Sequence, residues 1–175
     1  PRELSTEECK GIIDELERMQ VFYVNIGGGE PTVRPDFWEL VEYATDHNVG
    51  VKFSTNGIKL TPEAARRLAA NDYVDVQISL DGATAEVNDY IRGPRSYETA
   101  MRAMGNLRDA GMKNFKLSVV CTRTNIPQLD EFKRIQDHLL LDQEKARIGL
   151  PGSPLYLAIS SGRGIGKSAW LSMLD

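Results

Sequence analysis

Short apolar runs alternate along the chain with longer segments whose apolar residues recur at helical spacing. The runs are rich in β-branched and aromatic residues, and they predict strands at about 21–26, 51–54, 74–80, 115–121 and 155–160. The longer segments predict helices that begin near residues 5, 36, 61, 96 and 128, and a further helical segment over 169–174. Ser5 and Glu8 form a capping-box pair, and Gly111 is expected to end the fourth helix in a left-handed conformation.

This alternation of strand and helix predicts parallel strands that are joined by right-handed crossovers. Each strand–helix unit spans roughly 25–40 residues, which is long enough to contain one crossover helix. A doubly wound sheet and a (β/α) barrel both satisfy the pattern, and the periodicity alone leaves the two open.

The composition is that of one globular domain. The chain has 175 residues, of which 41% are hydrophobic and 26% charged, so intrinsic disorder is not expected. The net charge of −4 argues against broad binding to nucleic acid or to an anionic membrane surface. No apolar run approaches the roughly 20 residues that span a bilayer, and no signal-peptide pattern is present.

The two cysteines, Cys9 and Cys121, lie far apart in the sequence. They form neither a disulfide framework nor a CxxC metal motif, so we predict a cytoplasmic protein. Two cysteines also exclude a four-cysteine cluster that is built from this chain alone, and no metal ligand is assigned within it. Both are expected to be ordinary, partly buried thiols.

Small polar residues follow every predicted strand, in the segments 27–31, 54–57, 79–82, 121–125 and 160–164. Such residues are common in turns, and each segment alone carries little weight. In parallel α/β folds, however, the carboxyl ends of the strands form the ligand-binding face. Five such segments in series therefore predict one shared site.

The segment 27–31, with the sequence GGGEP, is the most informative of the five. Three glycines leave the backbone bare, so that a ligand can contact peptide groups directly. Pro31 restricts Glu30 to an extended conformation, in which its carboxylate can accept hydrogen bonds from a cation such as an ammonium group. The segment is not a dinucleotide fingerprint, because GxGxxG fails at its last position and no helix opens there.

Four motifs, GGGEP at 27–31, STNG at 54–57, SLDG at 79–82 and NDYIRG at 88–93, occur in this order. Together they resemble the radical S-adenosylmethionine (SAM) superfamily. Residues 21–134 resemble more narrowly its mycofactocin-maturase subfamily, whose members modify peptides and carry a SPASM-type extension. The resemblance implies an α/β fold, a partial (β/α)₆ barrel that is incomplete at its N-terminal end.

The resemblance also implies how SAM is bound. Glu30 and its loop match the motif that binds the methionine amino group, and Arg92 matches the arginine that pairs with the carboxylate. A zwitterionic amino acid indeed needs one anion for its ammonium group and one guanidinium for its carboxylate. The predicted SAM-binding residues are Gly28, Gly29, Glu30, Pro31, Ser54, Asn56, Ser79, Asp81 and Arg92.

In this family SAM binds a [4Fe–4S] cluster that is held by three cysteines in a CxxxCxxC loop. The chain has no such loop, so we expect it upstream of Pro1, and further cluster cysteines downstream of Asp175. The 175 residues are therefore expected to be inactive alone. The expected parent reaction is the oxidative decarboxylation of a C-terminal tyrosine and its crosslinking to the neighbouring valine. The expected partners are a precursor peptide, its recognition chaperone and a reductant protein, without membrane or nucleic acid.

We expect residues 1–134 to form the radical SAM core, with 135–175 as either its continuation or an unrelated segment. The second possibility arises because SGRGIGKS at 161–168 resembles the P-loop of terminase-like ATPases, with Ser161 in place of the first glycine. Gly164, Gly166 and Lys167 would then contact phosphates, and Ser168 would bind magnesium. Nucleic acid would become a partner only in that case.

A third possibility is a barrel lyase without a cluster. It would use the same face of the fold, with Glu30 and Asp81 as general acid and base.

Overall fold

The computed structural model describes residues 3–112, 115–139, 156–159 and 169–172. Strands and helices alternate through the first two of these ranges, as the sequence predicts. The helices are α1 (Thr6–Arg18), α2 (Phe37–Asp46), α3 (Pro62–Ala69), α4 (Ala85–Arg92), α5 (Ser96–Asp109) and α6 (Leu129–Leu139). The strands are β1 (Tyr23–Ile26), β2 (Gly50–Thr55), β3 (Val74–Ser79), β4 (Phe115–Ser118), β5 (Tyr156–Ile159) and β6 (Ala169–Ser172).

The first four strands form one parallel sheet in the order β1-β2-β3-β4. Each strand pairs with the next one along the chain, so the order never reverses. A doubly wound sheet reverses its strand order at a switch point, whereas a barrel continues in one direction. The observed order therefore agrees with the predicted partial barrel.

The hydrophobic core lies on one face of this sheet. Alternate residues of β2 and β3, including Val51, Phe53 and Val76, are completely buried. The ring of Phe37 in α2 packs edge-on against that of Phe53, with 5.0 Å between their centroids. The residues between them point to the other face and are polar and only half-buried: Lys52, Ser54, Asp75, Gln77 and Ser79. One face of the sheet is thus left polar, as the interior of an open barrel would be.

Several predicted helix ends are confirmed. Ser5 and Glu8 form the reciprocal capping box of α1, and Gly111 has a φ of +77° just beyond α5. Asp36 lies at the N-cap of α2 but makes no capping hydrogen bond. Its carboxylate instead pairs with Arg34, which, with a hydrogen bond from Thr6, lowers the pKa of Asp36 to about 2.

Helix α4 is an element that the sequence did not predict. It begins after Thr84, whose hydroxyl accepts a hydrogen bond from the amide of Val87. It ends at Gly93, where φ is +97°. The helix is only eight residues long, so its apolar positions are too few to produce a clear helical period.

The end of the chain differs from prediction. The strand predicted at 155–160 is present as β5, but it pairs antiparallel with β6 and is not part of the four-stranded sheet. The helix predicted over 169–174 is wrong for residues 169–172, which form β6. Cross-strand pairing overrides local helical propensity here, since tryptophan and leucine are accommodated in strands as well.

This strand also counts against the P-loop, because that motif requires a helix directly after Ser168. The P-loop residues Gly164, Gly166, Lys167 and Ser168 lie outside the described residues, as does the polar segment 160–164. Among the described residues, no helix has the length and apolar character needed to cross a membrane.

Candidate functional site

The loop after β1 leaves its backbone open to solvent. A side chain placed on Gly27, Gly28 or Gly29 would meet no atom within 4 Å, and Gly28 has a φ of +129°, which favours glycine. Glu30 is extended and forms the N-cap of a short 3₁₀ turn, Pro31–Val33. The expectation that the loop exposes its peptide groups and holds Glu30 extended is confirmed.

Four hydrogen bonds orient the carboxylate of Glu30. Its Oε1 accepts from the amide of Thr32 at 3.2 Å, from the Thr32 hydroxyl at 2.5 Å and from the Thr55 hydroxyl at 2.7 Å. Its Oε2 accepts from the amide of Asn56 at 2.6 Å. These donors fix the orientation of the carboxylate, so the loop after β1 presents an oriented carboxylate group at the end of β2.

The side chains of Ser54 and Asn56, which flank Thr55, make hydrogen bonds with different parts of the protein. The Ser54 hydroxyl donates to the side-chain oxygen of Gln77 on β3 at 3.0 Å, on the polar face of the sheet. The Asn56 side chain accepts from the amide of Ile58 at 2.9 Å and shapes the loop. Ser54 therefore lies on the polar face of the four-stranded sheet, which is the interior of the partial barrel, whereas Asn56 lies at the rim, just beyond the end of β2.

Arg92, which lies at the surface, forms an ion pair with the buried Asp81. The Nε of Arg92 donates to Oδ2 of Asp81 at 2.6 Å, and Oδ1 of Asp81 accepts from the amide of Val120 at 2.7 Å. The Asp81 side chain is 7% exposed and that of Arg92 is 27% exposed. The terminal nitrogens of Arg92 have no hydrogen-bond partner among the described residues, which leaves them available to a ligand.

Because both oxygens of Asp81 are engaged, this residue does not offer the free acid or base that the lyase hypothesis requires. It holds Arg92 instead.

A cleft of about 340 Å³ opens where β2 and β3 end. It brings together three of the predicted SAM-binding residues, Asn56, Ser79 and Arg92. Glu30 adjoins this group through its hydrogen bond with the Asn56 amide. Gly28, Gly29, Glu30 and Pro31 themselves line a larger, more apolar cleft of about 670 Å³ beside α1 and β1. The remaining residues around the smaller cleft are Ile58, Pro94, Arg95, Ser96 and Thr99.

Three residues that sequence reasoning missed support this geometry from within the core. Thr55 contacts Glu30, as described above. Asn88 is completely buried, and its side-chain oxygen accepts from the amides of Asp81 and Gly82 at 2.8 and 3.1 Å. Asn125, also completely buried, donates to the carbonyl oxygen of Asp81 at 2.7 Å. Asn88 opens the NDYIRG motif and Asn125 lies in a polar strand-end segment, so both carried a signal in the sequence.

The chain's own residues do not fit an iron–sulfur cluster. Both cysteines are free and half-buried, Cys9 on α1 and Cys121 beyond β4. Burial raises the pKa of the Cys121 thiol, and the nearby charge of Asp81 raises it further, which disfavours the thiolate form that binds metal. No group of three potential metal ligands occurs among the described residues.

The four parallel strands form part of a barrel, and their carboxyl ends carry a glycine-rich loop, an oriented glutamate and an arginine that is paired with an aspartate. These are the features that the sequence motifs led us to expect of a radical SAM protein. A family model of the radical SAM superfamily matches residues 1–138, and the chain belongs to that superfamily.

Among individual proteins, the chain is similar to the mycofactocin maturase MftC of Mycobacterium tuberculosis, with 75% identity over 132 residues. This alignment covers 75% of the chain but 34% of the relative, so the chain spans about a third of that protein's length. It is also 34% identical over 169 residues to the AdoMet-dependent heme synthase of Nitratidesulfovibrio vulgaris, covering 96% of the chain and 43% of that relative.

Solved structures agree on the fold. SuiB from Streptococcus suis matches with a TM-score of 0.75 and 19% identity, covering 99% of this chain and 38% of SuiB. The structure of SuiB bound to S-adenosylmethionine matches with a TM-score of 0.71 and 20% identity, covering 81% of this chain and 33% of that one. At this level of identity the likeness concerns the fold alone.

Proposed function

We propose that this chain is the SAM-binding part of a radical SAM enzyme that modifies a precursor peptide. One observation carries the proposal: the fixed carboxylate of Glu30 and the guanidinium of Arg92 both adjoin the loop of Asn56. The methionine part of SAM has an ammonium group and a carboxylate on one carbon, which matches this pair of charges.

We assign the individual residues the following roles. The Oε2 atom of Glu30 accepts from the ligand's ammonium group, and the bare peptide groups of Gly28 and Gly29 line its approach. Arg92, held by Asp81 through Nε, offers its terminal nitrogens to the ligand's carboxylate. Asn56 and Ser79 provide hydrogen-bonding groups between the two ends. In this family, bound SAM supplies the group that abstracts hydrogen from the substrate.

The substrate and partners are proposed from the relatives. The high identity to a mycofactocin maturase supports a precursor peptide as substrate, and SuiB has been crystallised with its precursor peptide SuiA. We propose that the parent protein decarboxylates the C-terminal tyrosine of such a peptide and links it to the neighbouring valine. A recognition chaperone, a reductant protein and a cytoplasmic setting complete the proposal.

Residues 135–175 belong, in this proposal, to the same domain as residues 1–134. This assignment is supported by the similarity to the heme synthase, because the aligned region includes 169 of the 175 residues and so extends beyond residue 135.

The test is calorimetric titration of SAM into the full chain, which asks for binding and not for turnover. The proposal expects one site, with affinity reduced at least roughly tenfold in Glu30→Ala and in Arg92→Ala, because each loses a charge-assisted contact. Thr45→Val is the control, since Thr45 lies at the end of α2 and, among the described residues, its hydroxyl bonds only the carbonyl of Glu42 and the side chain of Asn71. A folded chain that binds no SAM, or variants that bind it as tightly as the wild type, would contradict the proposal.

A further inference from the structure

Thr55 is the last residue of β2, and its side chain lies on the helix-facing side of the sheet. It is 1% exposed, so it cannot contact a ligand directly. Its hydroxyl nevertheless makes two hydrogen bonds, with Glu30 Oε1 at 2.7 Å and with the amide of Gly57 at 3.0 Å. A buried hydroxyl with both partners satisfied has a single orientation.

That orientation is fixed by the partners. The amide of Gly57 can only donate, so the Thr55 oxygen accepts from it and must direct its own proton to Glu30. Gly57 in turn cannot be replaced without a shift, since a Cβ there would lie 2.6 Å from the Cβ of Ala103 in α5. The donor that Thr55 offers to Glu30 is therefore held by β2 and α5 together.

The two threonines that contact Glu30 belong to different parts of the fold, so only one of them can fix the carboxylate relative to the sheet. Thr32 lies two residues from Glu30, in the same loop. Thr55 belongs to the sheet, and its hydroxyl ties the carboxylate to β2. The two threonines provide three donors to Oε1, whereas Oε2 accepts from a single donor among the described residues, the amide of Asn56 at the end of β2.

We infer that Thr55 is a positioning residue for Glu30: its hydroxyl fixes Oε1, so that Oε2 is presented to the ammonium group of a ligand. This inference rests on the proposed function for the identity of that ligand. Within the STNG motif, the residue that acts on the ligand's ammonium end is thus Thr55 through Glu30, whereas Ser54 points towards Gln77.

The experiment is a double-mutant cycle between Thr55→Val and Glu30→Ala in the full chain, with Thr55→Ser as the conservative variant. Valine keeps the shape of threonine and removes the hydroxyl, whereas serine keeps the hydroxyl. Two quantities are measured for each variant, the dissociation constant for SAM and the midpoint of urea unfolding. Thr45→Val serves as the matched loss of a threonine hydroxyl elsewhere.

We expect Thr55→Val to weaken SAM binding roughly tenfold and Thr55→Ser to stay within about twofold of the wild type. In the Glu30→Ala background, Thr55→Val should weaken SAM binding no further, because the residue through which it acts is gone. Equal SAM affinity in Thr55→Val and the wild type would overturn the inference. So would a weakening that persists in full when Glu30 is already alanine.

The unfolding arm separates this inference from the proposed function. The Thr55–Glu30 hydrogen bond predicts that the unfolding midpoints of the two single variants are non-additive in the double variant, whether or not SAM binds. Failure of the wild type to bind SAM would overturn the proposed function alone. Additive midpoints would show that Thr55 does not hold Glu30, and would overturn the inference.

Discussion

At the scale of single residues, the surface side chain of Arg92 is held in one orientation by its ion pair with Asp81. An isolated arginine on a helix has many rotamers, but Asp81 holds its Nε at 2.6 Å and a second bond from the Val120 amide holds Asp81. Ordering a long side chain in advance lowers the entropic cost of binding a ligand. The sequence predicted both residues at the site, but it placed Asp81 against the ligand rather than behind Arg92.

Replacement of Asp81 tests this arrangement. Asp81→Asn keeps the shape but removes the charge and replaces one of the two accepting oxygens by an NH₂ donor, so one of the two hydrogen bonds is lost and its donor is left unpaired. We expect it to lower the free energy of unfolding by about 2–3 kcal/mol. The matched control is Asp109→Asn, whose exposed pair with Arg108 should contribute less than about 1 kcal/mol. Urea unfolding measures both. Equal effects of the two substitutions would contradict the buried role of Asp81.

Thr55 marks the limit of sequence reasoning at this scale. The alternation of Val51, Phe53 and Thr55 would have placed Thr55 in the row that faces the helices. Nothing local, however, indicates that Glu30, 25 residues earlier, reaches the same point through a 3₁₀ turn. Contacts between distant segments depend on the packing of the strands, so they cannot be predicted from either segment alone.

At the scale of elements, the sequence of β3 indicates its environment as well as its secondary structure. Its residues Asp75, Gln77 and Ser79 alternate with buried valine and isoleucine. Strands of a doubly wound sheet are buried on both faces and read as continuous apolar runs. The strands of a closed TIM barrel share that property. The alternation in β3 therefore indicates a sheet with one polar face, and it does not by itself separate a barrel from a doubly wound sheet.

The turn between β3 and α4 provides a sharp test of element packing. A Cβ on Gly82 would overlap the backbone of Val87 and Asn88, so the SLDG turn and the NDYIRG helix pack as one unit. We expect Gly82→Ala to lower the free energy of unfolding by about 2–3 kcal/mol. Gly105→Ala, in the middle of α5 with no atom within 4 Å of the added Cβ, should raise it by about 0.5–1 kcal/mol.

The two glycine substitutions are compared by thermal or urea unfolding of the full chain. A neutral Gly82→Ala would mean that α4 does not pack against the turn as described.

At the scale of the whole molecule, the net charge is −4, and the two arginines that line the cleft at the strand ends are each paired with a carboxylate: Arg92 with Asp81 and Arg95 with Glu98. The sequence predicted parallel strands with polar residues at their ends, because these are marked locally by glycine, proline or an abrupt change of polarity, whereas the barrel order of the strands came from the resemblance of the motifs. Of the predicted site residues, the structure brings Asn56, Ser79 and Arg92 to one cleft and residues 28–31 to another. It did not predict the pairing of β5 with β6, since four-residue strands carry little signal and their partners lie ten or more residues away.

The central claim is that the ammonium end of SAM lies at Glu30 and its carboxylate end at Arg92. The most direct measurement is a ¹H–¹⁵N correlation spectrum of the full, uniformly labelled chain during titration with SAM. We predict saturable shifts at the amides of Gly28, Gly29 and Asn56 and at the Nε of Arg92, with the core amides of α3 unchanged. Saturable shifts that spare these groups, or a spectrum of the folded chain that SAM does not change, would contradict it.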